Sequence, residues 1–274
     1  MRFPDARLLV AAAAMTAAQA FAAAEAVKSG IASRLQQQLP GVAAADYALG
    51  GAAFDAELRA QVEENAAAGD SAVEAGRKAW NAKFRDGRTL AGCFPNGGRR
   101  IAAHYPQYDA RLKRVVTLEM AINQCLKAHG EPLYDIADAN TMGVATAYLR
   151  SLSNGQKVAV RVPAAAEDRF EQGRRLYFPR LGQRNYACAS CHVQGAGKHF
   201  GEAVLSPPPG QATHWPVIRD GVPVSLQARM RECLELMGAA PFAAGSDELN
   251  HLEYFLAYLS NGLAMKANPW RPAK

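Results

Sequence analysis

Between residues 246 and 262 the chain reads SDELNHLEYFLAYLSNG, and Leu249, Leu252, Leu256 and Leu259 recur three or four positions apart. That spacing predicts a helix with one buried stripe, capped by Ser246 or Asp247 and stopped at Gly262. A second helix is predicted over EDRFEQGRRLYFPRL (167–181), where Gly173 and Tyr177 lie four apart on one face. No period-two alternation marks a strand between them near residue 188, so the chain reads as mainly α. The first residues follow another pattern. Arg2 and Arg7 precede a continuous apolar run, LLVAAAAMTAAQAFA (8–22), which ends in the small-x-small sequences Ala18-Gln19-Ala20 and Ala20-Phe21-Ala22. This is the pattern of a cleaved signal peptide at 1–22. No later segment holds the roughly 18 uninterrupted apolar residues of a membrane span.

The helix patterns repeat. EYFLAYLSNGLAM (253–265) is echoed by TAYLRSLSNGQKV (146–158), with Leu149 on Leu256, Leu152 on Leu259 and Tyr148 on Phe255. Upstream, INQCLKAHG (122–130) matches MRECLELMG (230–238), which sets Cys125 against Cys233. GRKAW (76–80) matches GRRLY (173–177), and Cys93 then falls near Cys188. An internal repeat fixes architecture before any single element does. It predicts two tandem helical units, 75–160 and 161–274, behind an N-terminal extension at 23–74. The segment NGQKVAVRVPAAAED (154–168) is the expected linker region.

The second unit carries Cys188-Ala189-Ser190-Cys191-His192. C-x-x-C-H attaches haem c through two thioethers, with the adjacent histidine as proximal iron ligand. A zinc site would want two further ligands nearby, and only His199 is offered. The first unit reads Cys93-Phe94-Pro95-Asn96-Gly97 at this place, without the second thiol or the histidine. One haem per chain is therefore expected. Of five cysteines, two serve the haem, and Cys93 and Cys125 are expected to pair as a disulfide in an oxidising compartment.

Cys233 is then left as the odd thiol, and it is a candidate distal ligand. His199, His214, His251, Met230, Met237 and Met265 also lie downstream of His192. Met237 is the main competitor, because it aligns with His129, itself a ligand type. Arg229 stands four residues before Cys233, on the same helical face, where the first unit has Ala121. A guanidinium there favours thiolate over thiol and offers paired donors to an oxyanion. Net charge is +6 and spread along the chain, which suits small anions or an acidic protein partner and does not suggest nucleic acid.

CASCHVQGAGKHF (188–200), LSPPPGQATHWPVIR (205–219), RMREC (229–233) and NHLEYFLAYLSNGL (250–263) resemble the SoxA family, the cytochrome subunits of bacterial SoxAX complexes. The likeness runs from about residue 75 to the C-terminus. It implies two cytochrome c-like domains, the first without haem, a SoxX-like cytochrome partner in a heterodimer, and a periplasmic location. It implies an L-cysteine S-thiosulfotransferase that couples thiosulfate oxidatively to a cysteine of the SoxYZ carrier. By the same likeness Cys233 is both distal ligand and active-site residue, and Arg229 contacts substrate. Two other readings are a thiosulfate dehydrogenase forming tetrathionate and a plain electron-transfer cytochrome.

Overall fold

The computed structural model describes residues 6–272, with side chains from residue 22 onward. The expected signal peptide therefore lies almost wholly outside the described side chains: residues 1–5 are outside the described residues altogether, and 6–21 enter only as backbone of α1 (Ala6–Gln38). Among the described residues no helix is long and apolar enough to cross a membrane.

Two helical units follow, built on one plan. The first comprises α3 (Asp70–Asn81), the short α4 (Leu90–Cys93), a hairpin of β1 (Gln107–Asp109) and β2 (Arg114–Val116), then α5 (Leu118–Ala128) and α6 (Val144–Ser151). The second comprises α7 (Glu167–Tyr177), the short α8 (Cys188–His192), the small hairpin β3 (His199–Phe200) with β4 (Ala203–Val204), and a hairpin of β5 (Val217–Arg219) with β6 (Val222–Val224). It ends with α9 (Leu226–Leu236) and α10 (Asp247–Leu259). A cis X-Pro bond precedes β1 at Pro106 and β5 at Pro216. Thr117 and Ser225 cap α5 and α9, accepting from the N–H groups of Met120 at 3.3 Å and Ala228 at 3.1 Å. Such hydroxyl caps satisfy amides that the first helical turn leaves without carbonyl partners.

Each unit is closed by one crossing of its first and last helices. A Cβ built on Gly76 would stand 2.0 Å from the Val144 carbonyl oxygen and 2.7 Å from Tyr148 Cβ. One built on Gly173 would stand 2.1 Å from the His251 carbonyl oxygen and 2.8 Å from Phe255 Cβ. Glycine lets the backbones touch. The contacted residues are the pairs that the repeat aligns, Tyr148 with Phe255.

α10 departs from the single stripe its sequence predicts, since every residue from Leu249 to Leu259 is buried. Its polar positions are absorbed by neighbours: Asn250 donates to the Gly245 carbonyl and accepts from Gln227, which also donates to Glu253 at 3.0 Å. Its N-terminal cap is Ser246, which accepts from Leu249 N–H at 3.4 Å. The expected linker is also more than a tether. Val158, Val160 and Val162 are buried, and Gly155, Val158, Gly262 and Met265 exchange backbone hydrogen bonds across the chain's two Ser-Asn-Gly turns.

α1, with a 3-10 segment at Ala44–Ala53 and α2 (Ala56–Glu64), wraps the second unit. Tyr258 in α10 donates to Glu25 in α1 at 2.6 Å, and Thr213 donates to the Ala48 carbonyl at 3.0 Å.

Candidate haem cleft

α8 begins after Ala187, whose N–H donates to Ser190 Oγ at 3.1 Å, so the Ser of Cys-Ala-Ser-Cys-His ties its own turn. One turn of helix sets Cys188 and His192 on the wall of a cleft that Cys233 and Arg229 of α9 also line. Tyr177, Leu252 and Leu256 contribute an apolar side. The empty space between protein atoms here, open mouth included, is about 1410 Å³.

His192 is half-buried, and its Nδ1 donates to the Ser206 carbonyl at 2.7 Å. That bond fixes the tautomer and leaves Nε2 as the nitrogen with a lone pair. Burial pushes the imidazole pKa down to about 4, with the Arg229 charge adding to the depression. The ring is therefore neutral at physiological pH, as an iron ligand must be. Burial, and then the neighbouring Cys233, pushes the Cys188 thiol up to about 12; the same two causes raise Cys191. Cys188 and Cys233 share the lining, while Cys191 stands off it but near enough for the Cys233 charge to raise its thiol pKa. The donor set, the free imidazole face and the apolar walls fit haem c.

Among the distal candidates, His214, Met230 and Cys233 line the cleft. Met237 is buried but absent from the lining, its carbonyl accepting from Arg184 N–H at 3.1 Å. His199 is exposed beside Asp55, and His251 lies at the Gly173 crossing. Met265 is fully buried outside the lining. His214 is buried with its pKa down to about 3, through burial first and the Arg271 charge second.

Arg229 donates through Nη1 to Glu232 at 3.0 Å. Arg231, two residues on, does not line the cleft; it is half-buried, and its Nε is buried without a hydrogen-bond partner.

In the first unit Cys93 and Cys125 are joined in a disulfide spanning 32 residues of sequence. Trp80 and Phe94 pack as a tilted pair with ring centroids 5.0 Å apart, and Trp80 donates to the Gly97 carbonyl at 2.9 Å. Ala121, opposite Arg229 in the repeat, is buried.

Other lining residues escape the sequence reading. Gly51 and Leu58 come from the N-terminal extension, and Arg219 and Arg271 from β5 and the chain's end. The extension gives no local signal of this role. Arg219 does end the LSPPPGQATHWPVIR stretch, which stands out in the sequence.

The family model described as SoxA/TsdA, cytochrome c domain, matches residues 75–158 and 172–265. The chain is similar to the L-cysteine S-thiosulfotransferase subunit SoxA of Chlorobaculum tepidum, 40% identical over 233 residues, which cover 83% of this chain and 81% of that one. It is 38% identical over 242 residues to the protein of the same name from Allochromatium vinosum, covering 84% of each. The crystal structure of SoxXA from P. pantotrophus contains a chain that superposes with a TM-score of 0.71 at 28% identity, covering 79% of this chain and 84% of that chain.

Proposed function

The chain belongs to the SoxA/TsdA cytochrome c family, and from that premise we propose that it is the catalytic haem subunit of an L-cysteine S-thiosulfotransferase. Two cytochrome c-like domains carry it, with the haem in the second. The observation that carries the reading is the sharing of one cleft by Cys188, His192, Cys233 and Arg229.

In this reading Cys188 and Cys191 would hold a single haem c by thioethers, His192 would offer Nε2 to its iron, and Cys233 would be a second iron-ligating group and the active-site sulfur. A haem bound there supplies the route by which electrons leave. Thiosulfate is the substrate and a cysteine of the SoxYZ carrier is the acceptor. The net step forms one S–S bond between the carrier thiolate and the sulfane sulfur of thiosulfate, and it releases two electrons. Both sulfurs are anionic beforehand, so their approach is unfavourable without a fixed positive charge. Arg229 provides it, and its guanidinium holds sulfonate oxygens by paired charge-assisted hydrogen bonds. Glu232 keeps that guanidinium in the wall. A SoxX-like cytochrome is the partner subunit. The signal peptide at 1–22 directs the chain to the periplasm.

The test uses the chain purified with its SoxX-like partner, supplied with thiosulfate and SoxYZ. Thiosulfate is expected to disappear in proportion to carrier thiol, with the carrier cysteine carrying a thiosulfonate by mass spectrometry. Tetrathionate formed without carrier would replace this reading with a thiosulfate dehydrogenase. Haem reduction with neither product would leave an electron-transfer cytochrome. A pyridine haemochrome titration of the same preparation is expected to give one haem per chain.

A further inference from the structure

The wall of the cleft that carries Arg229 holds more positive charge than one clamp needs. Arg219, at the end of β5, places Nη1 3.1 Å from both carboxylate oxygens of Glu232, while Arg229 donates to Glu232 from within α9. One carboxylate thus bridges two guanidinium groups that both line the cleft. A third arginine joins them. Ile218 N–H donates to the Pro269 carbonyl and Arg271 N–H to the Ile218 carbonyl, each at 2.9 Å, which sets Arg271 alongside Arg219.

Arg271 is half-buried, and its guanidinium donates to two carbonyls, Trp270 at 2.9 Å and Leu49 at 2.8 Å. It has no carboxylate partner among the described residues. Burial, and then the nearby Arg219 charge, pulls its pKa down to about 10, so it remains a cation at neutral pH beside a second cation. Burying like charges together is costly unless an anion offsets them. Two further donors are unspent at this place: Arg219 Nε and Trp215 Nε1 are buried without partners. Three guanidiniums against the single carboxylate of Glu232 leave an excess of two positive charges. Glu202, also on the lining, sits exposed at the tip of the β3–β4 hairpin.

We propose that Arg219 and Arg271 extend Arg229 into a three-arginine wall that binds a doubly charged oxyanion, with Glu232 as the residue that positions Arg219 and Arg229. Two sources present that chemistry: a sulfur oxyanion arriving as substrate, and the paired carboxylates of the haem itself. The choice of thiosulfate as probe rests on the transferase reading above.

The test uses the haem-loaded chain with its SoxX-like partner. Thiosulfate affinity is read without SoxYZ from perturbation of the Soret band, and haem content and midpoint potential are measured in parallel. Arg219→Gln and Arg271→Gln are expected to weaken thiosulfate binding about tenfold or more each, as for loss of a charge-assisted hydrogen bond. Arg219→Lys is expected to recover part of it. Glu232→Gln removes a competing negative charge, so it tightens thiosulfate binding while lowering kcat for carrier modification, a split that a merely structural glutamate would not produce. If instead haem content or potential changes and thiosulfate affinity stays constant, the oxyanion of the wall is the haem's own carboxylate pair. If affinity, potential and haem content all match the parent in Arg219→Gln and in folded Arg271→Gln, the proposal is overturned. Should the parent bind thiosulfate through these arginines yet fail to load SoxYZ, the wall stands and the transferase reading falls.

Discussion

Cys233 and His192 approach one space from different helices, and their chemistry differs in a way that can be measured. His192 is a neutral donor held by the Ser206 carbonyl, whereas a cysteine ligand brings negative charge. An anionic ligand favours ferric iron, so Cys233→Met is expected to raise the midpoint potential by on the order of 0.1 V or more, within the ~0.8 V that axial ligands command. An unchanged potential and electron paramagnetic resonance spectrum in Cys233→Met would transfer the role to Met230 or His214, which share the lining. Arg229→Ala is expected to lower kcat/KM for carrier modification by about 10²–10³, as for loss of a preorganised oxyanion donor. Arg229→Lys should restore little, and Arg231→Ala should behave as the parent. At this scale the sequence was informative because C-x-x-C-H and Arg-x-x-x-Cys are short and local. It was silent on Arg271, which reaches the cleft only because the chain's end pairs with β5. It also offered Met237 as the main competitor of Cys233, and that residue, at the C-terminal cap of α9, stays off the lining.

Among the elements, the two helix crossings matter most, because each sets the distance between a first and a last helix. Gly173→Ala would drive a methyl group to 2.1 Å from the His251 carbonyl oxygen, and α7 can yield only by moving away from α10. A loss of about 1–3 kcal/mol or more is expected in chemical denaturation, the range for overpacking a tight contact. Gly76→Ala should cost a similar amount through Val144. Gly30→Ala in α1 meets nothing within 4 Å, and it should be neutral or stabilising by about 0.5–1 kcal/mol. Equal effects at all three glycines would contradict this account. The Cys93–Cys125 disulfide is the other element-scale tie. Replacing both cysteines by alanine is expected to cost roughly 3–4 kcal/mol on the chain-entropy model, again by denaturation midpoint. The repeat made both features legible, since aligning Gly76 with Gly173 also aligned their contact residues. Helix ends were less legible. α7 stops at Tyr177, short of residue 181, because the chain turns at Phe178-Pro179 and a proline disfavours helix in the residue before it.

The whole molecule adds a property that neither unit has alone. Glu119 in α5 and Glu253 in α10 meet in the seam between the units, with Arg150 of α6 and Gln227 of α9 beside Glu253. One Glu119 oxygen is buried without a partner, and Gln227 donates to Glu253 at 3.0 Å. Burial first, and the Glu119 charge second, push the Glu253 carboxyl up to about 8, against the opposing pull of Arg150 and Gln227. The period-3.6 stripe of α10 concealed this glutamate, because Glu253 lies off the leucine positions and becomes interior only when the first unit covers that face. The sign of the consequence follows from linkage. An unfolded glutamate titrates near 4.3, so between about 4.3 and about 8 the folded chain holds a proton that the unfolded chain has released. Stability therefore falls as pH rises through that window, by up to about 1.4 kcal/mol per pH unit for one proton. Glu253→Gln keeps the hydrogen-bonding shape without the titration, so its stability should be flatter over the same range. Urea denaturation of the haem-loaded chain from pH 5 to pH 8, parent against Glu253→Gln, reads the difference directly. Parallel curves would mean that Glu253 is ionised in the folded state, and Arg150 would then be its counter-charge across the seam.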